Sequence, residues 1–401
     1  MTTTKNNEHK KLNVPNLRFK EFEGEWEKCK LSEICTFFSG GTPSSSNKDF
    51  YGGNIAFIRS GELHADSTEL FITQAGFDSS SAKMVEIGDL LLAMYGATSG
   101  DIAVSKIKGA INQAILCIRT KQNKKFIESV WNKHVSKNLR KYLQGGQGNL
   151  SADIVKGISF FFPTLKEQEK IANLVSLLDE RIATQNKIID KLQSLIRGIN
   201  DSLYTQHGGE VLTSFANLGT SYSGLSGKSA QDFGSGKPFI TYLNVYSNNV
   251  INENDFQYVA IKDGEKQNVV EYGDILFTLS SETPEEVGIG SVYLGKEKVY
   301  LNSFCFGIHI TNTEVAFPPY LSYYVSLTAF RKFIYPYAQG STRFNLCKAD
   351  FEKASIKLPT LENQKRIYSV LEHIDCKIET ERQMLNLYNS QKQYMLRQMF
   401  I

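Results

Sequence analysis

The hexapeptide Pro-Thr-Leu-Lys-Glu-Gln at residues 163–168 decides the fold, because it returns as Pro-Thr-Leu-Glu-Asn-Gln at residues 359–364. The two copies lie 196 positions apart (359 − 163). The same offset then holds without a gap, so that Asp179 corresponds to Asp375. A chain of 401 residues with a period near half its length predicts two copies of one structural unit.

A heptad pattern of apolar residues follows each copy of the hexapeptide. Two series of apolar positions, each with a spacing of seven, alternate by four and three residues, which is typical of a coiled-coil seam. The first predicted helix covers about 166–205 and has a length of roughly 60 Å at 1.5 Å per residue, and the second covers about 362–400. The predicted seam comprises Ile171, Val175, Leu178, Ile182, Gln185, Ile189, Leu192, Ile196, Ile367, Leu371, Ile374, Ile378, Glu381 and Leu385.

Two such helices in one chain predict an antiparallel pair, because a chain that folds back can bury the two seams against each other. Gln185 and Glu381 are equivalent polar positions, and a buried polar layer helps to fix the register of a coiled coil at some cost in stability. Lys392 is a further polar interruption of the second seam. We therefore expect the C-terminal end of that helix to fray or to form a docking surface.

The residues that precede the first long helix predict a domain of mixed strands and helices. Apolar runs at 55–58, 90–94 and 114–118 have the length of strands, and loops rich in Gly, Ser, Thr and Asn separate them. A helix is predicted at about 124–143 from its apolar face. This mixture indicates an α+β domain.

The same framework recurs, more loosely, in the second half of the chain. The heptapeptide Val-Glu-Ile-Gly-Asp-Leu-Leu at 85–91 returns as Val-Glu-Tyr-Gly-Asp-Ile-Leu at 270–276, and Asn112 corresponds to Asn302. The offset changes from 185 to 190 between these two matches, which places insertions in the loops. The domains have therefore diverged more than the helices.

The predicted fold is α+β, with two pseudo-repeated globular α/β domains separated by two long helices that pack as an antiparallel coiled coil. The predicted segments are an N-terminal arm at 1–25, a first globular domain at 26–162, a central helical spacer at 163–207, a second globular domain at 208–358 and a C-terminal helical spacer at 359–401.

Composition and charge set broad limits on function. The net charge of +3 permits nucleic-acid binding without requiring it, since a basic face can coexist with an acidic remainder. The sequence has no run of about 18 apolar residues, so we expect no transmembrane helix, and the polar start of the chain does not predict a signal peptide. The six cysteines form no C-x-x-C pair and indicate reduced thiols, so we expect a cytoplasmic protein.

Two motifs resemble catalytic signatures but lack a decisive residue. Residues 224–229, Gly-Leu-Ser-Gly-Lys-Ser, resemble the end of a phosphate-binding loop, yet Tyr222 occupies the position of a required glycine and no clear strand precedes the motif. A flexible turn with an exposed lysine is the expected structure.

Residues 317–320, Phe-Pro-Pro-Tyr, resemble an amino-methyltransferase signature in which Asn or Asp holds the target amine. Phe317 cannot do this, so we expect the two prolines to begin a helix.

The side chains with catalytic or metal-binding chemistry are scattered. The six histidines lie far apart in the sequence, and no His, Cys or carboxylate cluster has the spacing of metal ligands. No local group of carboxylates indicates a nuclease centre. We therefore expect no catalytic residue, no metal site and no cofactor bound by this chain.

Polar side chains on glycine-containing loops are the candidates for function. Arg, Lys, Asn, Gln, Ser and Thr are the residue types that contact base edges and phosphates. One such loop is more often a solvated turn, but corresponding loops occur in both halves, which favours a binding face. The candidate DNA-contacting residues are Thr42, Ser44, Ser45, Lys48, Arg59, Ser60, Tyr95, Thr98, Ser99, Gln147, Asn149, Ser226, Lys228, Lys237, Tyr242, Asn244, Ser280, Ser281, Thr342, Arg343 and Asn345.

With these features in place, the chain resembles the specificity subunits of type I restriction-modification systems over essentially its full length. The resemblance rests on Val-Pro-Asn-Leu-Arg-Phe at 14–19 leading to Trp26, on Gly-Gly-Thr-Pro at 40–43 and on Gly-Asp-Leu-Leu at 88–91. It rests above all on the paired Pro-Thr-Leu-x-x-Gln runs that precede the long helices. Each motif is weak by itself, and their doubled order is specific.

The resemblance implies two target recognition domains, each of which recognises one half of a bipartite DNA sequence, with the paired helices as a spacer. Such subunits are not catalytic. They assemble with two modification subunits, which methylate adenine with S-adenosylmethionine, and with restriction subunits, which are motor endonucleases that cleave unmethylated double-stranded DNA with ATP. S-adenosylmethionine, ATP and Mg²⁺ are accordingly expected on the partner subunits, with no membrane partner.

A self-sufficient nuclease would cut DNA in a metal-dependent reaction of the isolated chain, which we do not expect. The sequence leaves one further alternative of another class open, a coiled-coil scaffold protein with protein-binding globular heads. Contacts to phosphates make DNA binding steeply dependent on salt concentration. Salt-dependent binding to a duplex that carries a discontinuous site therefore separates the two hypotheses.

Overall fold

The structure is a computed structural model that describes residues 12–142 and 150–401, with side chains for all of these except 135–142. The chain divides into two compact units. The first unit comprises the residues up to Asn186 together with Gln383–Ile401, and the second comprises Lys187–Arg382. Each unit therefore contains one globular part and a portion of both long helices.

The globular part of the first unit consists mainly of short strands. Its strands are β1 (Glu27–Lys30), β2 (Cys35–Ser39), β3 (Tyr51–Ile58), β4 (Phe71–Ile72), β5 (Lys83–Val85), β6 (Leu90–Ala93), β7 (Ile102–Val104), β8 (Gly109–Ile111), β9 (Ile115–Thr120) and β10 (Ser159–Phe162). Its helices are α1 (Leu31–Ile34), α2 (Gln74–Asp78), α3 (Lys124–Tyr142) and α4 (Ala152–Gly157), and α5 (Leu165–His207) follows. The strands predicted at 55–58, 90–94 and 114–118 and the helix predicted at 124–143 are confirmed, although Leu143 lies outside the described residues.

Two sheets and one strand pair organise this unit. An antiparallel sheet has the strand order β2-β9-β6-β7, and every residue of β6 is buried, as its uniformly apolar sequence indicates. A second sheet has the order β4-β3-β8-β5, in which β3 and β8 are parallel with Phe57 opposite Ala110. β1 pairs with β10 and so brings the start and the end of the globular part together.

The second unit has its own set of elements. Its strands are β11 (Val211–Thr213), β12 (Gly219–Ser223), β13 (Phe233–Ile240), β14 (Gln257–Val259), β15 (Ile275–Thr278), β16 (Ser280–Ser281), β17 (Gly290–Val292), β18 (Tyr300–Leu301), β19 (Cys305–Ile310), β20 (Ala338–Gln339), β21 (Phe344–Leu346) and β22 (Ile356–Leu358). Its helices are α6 (Phe215–Leu218), α7 (Tyr242–Ser247), α8 (Pro318–Tyr324), α9 (Thr328–Ile334) and α10 (Lys348–Lys353), and α11 (Leu361–Met399) follows. α8 begins at the Pro-Pro pair, as predicted.

The central sheet of the second unit repeats that of the first, whereas the sheet β14-β13-β18 has three strands where β4-β3-β8-β5 has four. The order β12-β19-β15-β17 corresponds strand for strand to β2-β9-β6-β7. β13 pairs in parallel with β18, as β3 does with β8, and β11 pairs with β22 as β1 does with β10. The additional sheet β16-β21-β20 lies in the second unit. The pseudo-repeat predicted from the sequence is therefore present in the topology.

The repeated Gly-Asp pair forms the same turn in both units. Gly88 has a φ of 88° and Gly273 a φ of 90°, in the left-handed region that a Cβ atom disfavours. The next residue accepts a hydrogen bond from the backbone N–H three positions earlier, at 3.0 Å for Asp89 and 2.9 Å for Asp274. The turn leads directly into the buried strands β6 and β15, so the repeated sequence fixes the entry to each central sheet.

The threonine of each hexapeptide caps a long helix. The side-chain oxygen of Thr164 accepts a hydrogen bond from the backbone N–H of Glu167 at 3.5 Å, and that of Thr360 accepts one from Asn363 at 3.3 Å. The first N–H groups of a helix have no partner within the helix, and a threonine oxygen is one of the acceptors that can satisfy them. The first half of the hexapeptide is thus a helix start signal.

The glutamine of each hexapeptide is buried and connects the helix to its globular part. The side-chain amide of Gln168 and that of Gln364 each donate to the carbonyl of the proline that opens the motif, at 2.9 Å in both copies. The amide oxygens accept a backbone N–H from Asn123 at 3.1 Å and from Phe317 at 2.8 Å. A side chain with both donors and acceptors is needed at this position, which explains why the motif occurs twice with glutamine.

The long helices have the lengths and the buried faces that the heptads predict. α5 has 43 residues and α11 has 39. All predicted seam positions are buried or half-buried, including the polar Gln185 and Glu381. In the first unit Asp179 contacts Lys392 and the Arg181 guanidinium lies over the ring of Tyr388, so the two helices run antiparallel there.

Asp179 connects three elements of the first unit. The Nζ atom of Lys125 lies 2.8 Å from its carboxylate and that of Lys392 lies 2.5 Å away. Burial by itself would raise the pKa of Asp179, but the two lysines hold that pKa below its usual value. Leu396 and Met399, which follow Lys392, are buried and helical. The expectation that this end of the helix frays is therefore wrong, whereas a docking surface on its exposed side stays a prediction.

Of the arm predicted at 1–25, residues 12–25 are described and run extended along the first unit, whereas residues 1–11 lie outside the described residues. The backbone N–H of Leu17 donates to the carbonyl of Gln398 at 2.9 Å. The guanidinium of Arg18 contacts both carboxylate oxygens of Glu167 at 2.8 Å. Because Glu167 is buried, the arm supplies the charge that a buried carboxylate requires.

Candidate nucleic-acid interface

In the first unit, three connections between strands meet at one edge of the central sheet. The hydroxyl of Thr42, after β2, donates to the side-chain oxygen of Gln113, before β9. The backbone N–H of Met94, after β6, donates to the carbonyl of Ala114 at 2.8 Å. Tyr95 follows with an exposed ring. Candidate loop 42–48 therefore contacts the short loop that carries Gln113, and candidate loop 95–99 begins directly after a residue that contacts it.

The turn after β3 is linked to the same region. Nε2 of His64 lies 2.9 Å from a carboxylate oxygen of Asp101, which follows the 95–99 loop. Arg59 is half-exposed and forms an ion pair with Glu62 at 2.9 Å. The hydrogen bond from the Arg59 side chain is the main reason why the pKa of Glu62 is lowered. Arg59 therefore lies at the surface with a local partner that fixes its orientation.

The remaining candidates of the first unit differ in accessibility. Ser44, Ser45 and Lys48 are exposed, whereas Ser60, Thr98 and Ser99 are half-buried. The hydroxyl of Ser99 donates to the carbonyl of Met94 at 3.0 Å, which serves the loop itself. Gln147 and Asn149 lie outside the described residues. The exposed group on the 42–48 loop is thus the most accessible part of this set.

In the second unit, candidates from three separate stretches line one groove with a volume of about 730 Å³. This groove lies between α7, the segment that follows β16, and the turn between β20 and β21. Its lining residues are Tyr242, Leu243, Tyr246, Ser280, Ser281, Glu282, Glu286, Thr342 and Arg343. The fold therefore brings together five of the residues that the sequence predicted separately.

Two tyrosines form one wall of this groove. Their rings are nearly parallel, with centroids 6.0 Å apart and an interplanar angle of 17°. The hydroxyl of Tyr242 donates to the carbonyl of Ser280 at 2.7 Å, and that of Tyr246 donates to the carboxylate of Glu286 at 2.7 Å. The contact with Glu286 raises the pKa of Tyr246, and burial raises the pKa of Tyr242. Both hydroxyl protons are therefore held in place by neighbouring oxygens.

Lys228 has a structural role, and the expectation of an exposed lysine is wrong. Its side chain is only 6% exposed and its Nζ atom lies 2.7 Å from a carboxylate oxygen of Glu265. The same atom donates to the carbonyl of Ala260 at 2.6 Å. The contact with Lys228 is the main cause that lowers the pKa of Glu265 to about 2. The sequence expectation for the preceding residues is also wrong, since β12 leads directly into the motif.

Asn244 also serves the fold of the second unit. Its side chain is buried, with 2% of its surface exposed. Its amide donates to the carbonyl of Asn252 at 2.9 Å and its oxygen accepts the backbone N–H of the same residue at 3.0 Å. Ser280 and Ser281 are buried as well, whereas the other candidates of this unit include exposed side chains. These exposed candidates are Ser226, Lys237, Thr342, Arg343 and Asn345.

The structure adds groove residues that sequence reasoning missed. Leu243 is 68% exposed and Phe304 is 56% exposed. Glu282 and Glu286 line the groove beside the predicted serines. The spacing of Tyr242 and Tyr246, four apart on a helix, was a usable signal, since such residues lie on one face. Phe304 does not line the groove itself but lies beside Arg343, with 5.9 Å between its ring centroid and the central guanidinium carbon, and no local pattern indicates this contact because the two residues are far apart in the sequence.

Beneath each sheet, the repeated aspartate contacts a different partner. In the first unit the guanidinium of Arg119 lies 2.7 Å from the carboxylate of Asp89; burial alone would raise the pKa of this carboxyl, but the arginine lowers it. In the second unit Nδ1 of His309 lies 2.9 Å from Asp274 and the Tyr222 hydroxyl donates to the same carboxylate at 2.6 Å. Burial dominates there and raises the pKa of Asp274. One framework therefore carries two different electrostatic environments.

Neither a metal site nor a membrane span occurs within the two described ranges. No group of three or more His, Cys, Asp or Glu side chains in these ranges is arranged to hold a metal ion. None of the helices described there combines the length and apolar character that crossing a membrane requires.

Two units with the same sheet order and corresponding polar loops define a duplicated recognition protein. The chain matches the family model described as type I restriction modification DNA specificity domain twice, at residues 23–194 and 225–387. Because the two matches together span most of the chain, the chain belongs to this family. The duplication seen in the sheets is thus a duplication of the family's domain.

Individual relatives give the same result. The chain is 26% identical to a Methanocaldococcus jannaschii chain assigned as a type I restriction enzyme specificity subunit, over 93% of this chain and 92% of that one. It is 29% identical over 187 residues to a type I restriction enzyme specificity subunit of Escherichia coli, which covers 44% of this chain and 45% of that one.

Solved structures share the fold at low sequence identity. A type I restriction-modification S subunit from M. genitalium matches with a TM-score of 0.56 and 13% identity, over 97% of this chain and 99% of that chain. A chain solved for complex assembly and conformational transition of the type I R-M system matches with a TM-score of 0.58 and 16% identity, over 92% of this chain and 96% of that chain. At these identities the likeness concerns the fold alone.

Proposed function

We propose that this chain is the DNA sequence-recognition subunit of a type I restriction-modification complex. In this proposal it recognises a bipartite site in double-stranded DNA and directs adenine methylation and restriction by partner subunits. The observation that carries the proposal is the duplication of a DNA specificity domain, with polar loops at corresponding places in two units of the same strand order.

Each unit recognises one half-site in this proposal. The first target recognition domain, residues 26–162, uses the loops that meet at Gln113, and the second, residues 208–358, uses the groove that contains Arg343. The described part of the arm, residues 12–25, fastens to the first domain, and the helical spacers at 163–207 and 359–401 connect the two domains. The exposed candidates are the first residues to test.

Contacts to phosphates are proposed for the exposed lysines of the loops. Lys48 and Lys237 are exposed in the two units. Each phosphate neutralised by a protein cation contributes about −0.9 to the slope of log K against log salt concentration. With a net charge of only +3, the chain has no general excess of positive charge, so binding has to come from placed cations and base contacts.

The chemical steps belong to partner subunits in this proposal. The chain itself is not an enzyme, and two modification subunits bind S-adenosylmethionine while the restriction subunits bind ATP and Mg²⁺. The family model supports this division, since it describes a DNA specificity domain. The complex acts on DNA in the cytoplasm.

The test is to map methylated adenines in cells that express this chain with its modification subunits. The expected result is one methylated sequence composed of two short specific halves separated by unread base pairs. Cells with the modification subunits alone are the matched control and should lack this methylation. Methylation that is independent of the chain would contradict the proposal.

A domain exchange tests the assignment of half-sites. Replacing residues 210–358 with the equivalent segment of another specificity subunit should change the letters of one half-site and leave the other half-site intact. Binding of the full chain and its modification subunits to a duplex with the mapped site should also weaken steeply as salt rises. Binding that is indifferent to both sequence and salt would refute DNA recognition.

A further inference from the structure

Arg343 lies at the tip of a rigid hairpin in the second unit. β20 and β21 are joined by the turn 340–343, and β21 also pairs with β16, with Ser280 opposite Asn345. Gly340 has a φ of 141°, and a Cβ atom added there would lie 2.1 Å from the carbonyl oxygen of Arg343. Only glycine allows this turn, so the backbone that presents Arg343 is fixed by both pairing and turn geometry.

The guanidinium is held on two sides. One terminal nitrogen of Arg343 donates to the hydroxyl of Ser280 at 3.2 Å, and its central carbon lies 5.9 Å from the centroid of the Phe304 ring. Ser280 is buried, so it forms a fixed support, whereas Phe304 is exposed. A guanidinium has five N–H donors, and the contact with Ser280 uses one of them. The side chain is exposed, so its other donors can face a ligand.

The charges around Arg343 decide which ligand it favours. Its groove also contains Glu282 and Glu286, so the charged lining residues sum to one negative charge. A phosphate placed in this groove would lie near two carboxylates, and like charges at short distance repel. Two uncharged hydrogen-bond acceptors would not be repelled by these carboxylates. Guanine offers such a pair, O6 and N7, in the DNA major groove, and the arginine fork matches it with two hydrogen bonds.

We infer that Arg343 recognises a guanine in the half-site of the second unit, with Ser280 and Phe304 as positioning residues that keep its guanidinium in one plane. The inference rests on the proposed function, because it assigns one base of the sequence that the second domain recognises. A bidentate contact of this kind discriminates against other bases by about 1–3 kcal/mol, which is roughly 5- to 140-fold at 1.4 kcal/mol per tenfold.

The experiment uses the full chain in complex with its modification subunits. The exchange of residues 210–358 first identifies the half-site of the second unit. Methylation rates are then measured on a duplex with the mapped site and on duplexes in which one G·C pair of that half-site is changed. Arg343→Ala should remove discrimination at one guanine, by roughly 5- to 140-fold, and leave all other positions unchanged. Arg343→Lys should weaken this discrimination, because an ammonium can still reach guanine but lacks the rigid planar fork.

Two further variants separate recognition from general effects. Phe304→Ala removes an exposed ring and should weaken discrimination at the same guanine without changing other positions. Arg197→Ala removes an exposed arginine of the same unit that lines a different cavity, and it should leave discrimination at every position unchanged. Thermal unfolding of each variant identifies any loss of folding. If Arg343→Ala does not fold, the inference is tested on Arg343→Lys, which keeps the length and charge of the side chain.

Several results would overturn the inference. One is a second half-site without any G·C pair, and another is full discrimination at every guanine in both Arg343 variants. A uniform loss of affinity for all sequences in Arg343→Ala that Arg343→Lys restores would identify a phosphate contact instead. In each of these cases the parent complex still methylates a bipartite site, so the proposed function is not affected. Absence of such a site with the parent chain would refute the proposed function itself.

Discussion

Gln364 gives the sharpest test of how the repeated hexapeptide stabilises the fold. Its side chain is buried, and its oxygen accepts the backbone N–H of Phe317 at 2.8 Å. Its amide donates to the carbonyl of Val315 at 2.7 Å and to that of Pro359 at 2.9 Å. Gln364→Ala therefore leaves one N–H and two carbonyl groups without this partner inside the second unit.

The expected effect follows from the cost of unpaired buried polar groups. Each such group costs about 1–3 kcal/mol, and carbonyl groups lie at the lower end because they have two lone pairs and are less often left wholly unsatisfied. For one N–H and two carbonyls we expect the free energy of unfolding to fall by about 3–5 kcal/mol. A unit of this size loses about 2–4 °C in Tm per kcal/mol, so the transition should move down by roughly 10 °C.

Gln168→Ala is the matched variant in the first unit and should have a smaller effect. One hydrogen bond of Gln168 goes to the side-chain oxygen of Gln122, at 2.8 Å, rather than to a backbone carbonyl. A side chain can turn to water when its partner is removed, whereas a buried backbone group cannot. Two backbone groups remain affected instead of three, and the predicted loss is about 2–3 kcal/mol.

Differential scanning calorimetry of the full chain at neutral pH measures both effects. Gln391→Ala is the control, because Gln391 is an exposed residue of the same helix as Gln364 and alanine is a good helix former. Its Tm should stay within about 1 °C of the parent value. If Gln364→Ala shifts the transition no more than Gln391→Ala, the buried hydrogen bonds do not stabilise the unit and the explanation of the repeated motif fails.

Three other substitutions test charges within the units. The lysine contacts that lower the pKa of Asp179 mean that its ionised form stabilises the first unit above about pH 4 and that this contribution is lost as pH falls. Asp179→Asn should therefore lower the Tm at pH 7. Partial desolvation raises the pKa of Asp375 although the residue stays exposed, so its ionised form opposes folding only slightly at neutral pH. Asp375→Asn should raise the Tm at pH 7, and this increase should shrink as the pH falls toward about 4. A higher Tm in Asp179→Asn and a lower Tm in Asp375→Asn at pH 7 would contradict this explanation. Lys228→Ala should lower the Tm but leave the salt dependence of DNA binding unchanged. If the slope of log K against log salt concentration became smaller by about one, Lys228 would contact a phosphate instead.

The helices and the repeat could be predicted because periodic patterns depend on residues close in sequence. A heptad needs only its own positions, so the seam around Ile171 and Leu371 was identified without knowledge of its partners. The Gly-Asp turn is equally local, since the hydrogen bond of Asp89 spans three residues. These features survive in the structure because local preference and tertiary packing agree.

The candidate site was harder to predict because accessibility depends on distant partners. Lys228 belongs to a glycine-rich stretch that looks exposed, but Glu265, 37 residues further on, takes up its charge. Asn244 looks like other loop residues until its contact with Asn252 is known. The groove of the second unit combines stretches around Tyr242 and Arg343 that lie about a hundred residues apart in sequence. Residue type alone indicated which chemistry was possible, while the fold decided which side chains can reach a ligand.

Comparison of the two units separates residues that build the fold from residues that can distinguish ligands. Positions with the same residue in both copies, such as the hexapeptide glutamine and Asp89 with Asp274, make buried hydrogen bonds that each unit needs whatever it binds. Positions that differ, such as Arg119 and His309 on the equivalent strands β9 and β19, change the charge beneath the same sheet. A protein that recognised the same ligand twice would have no reason to differ there. Divergent surfaces on one repeated framework therefore favour two different half-sites over a symmetric one, and a methylated sequence with two identical halves would contradict this conclusion.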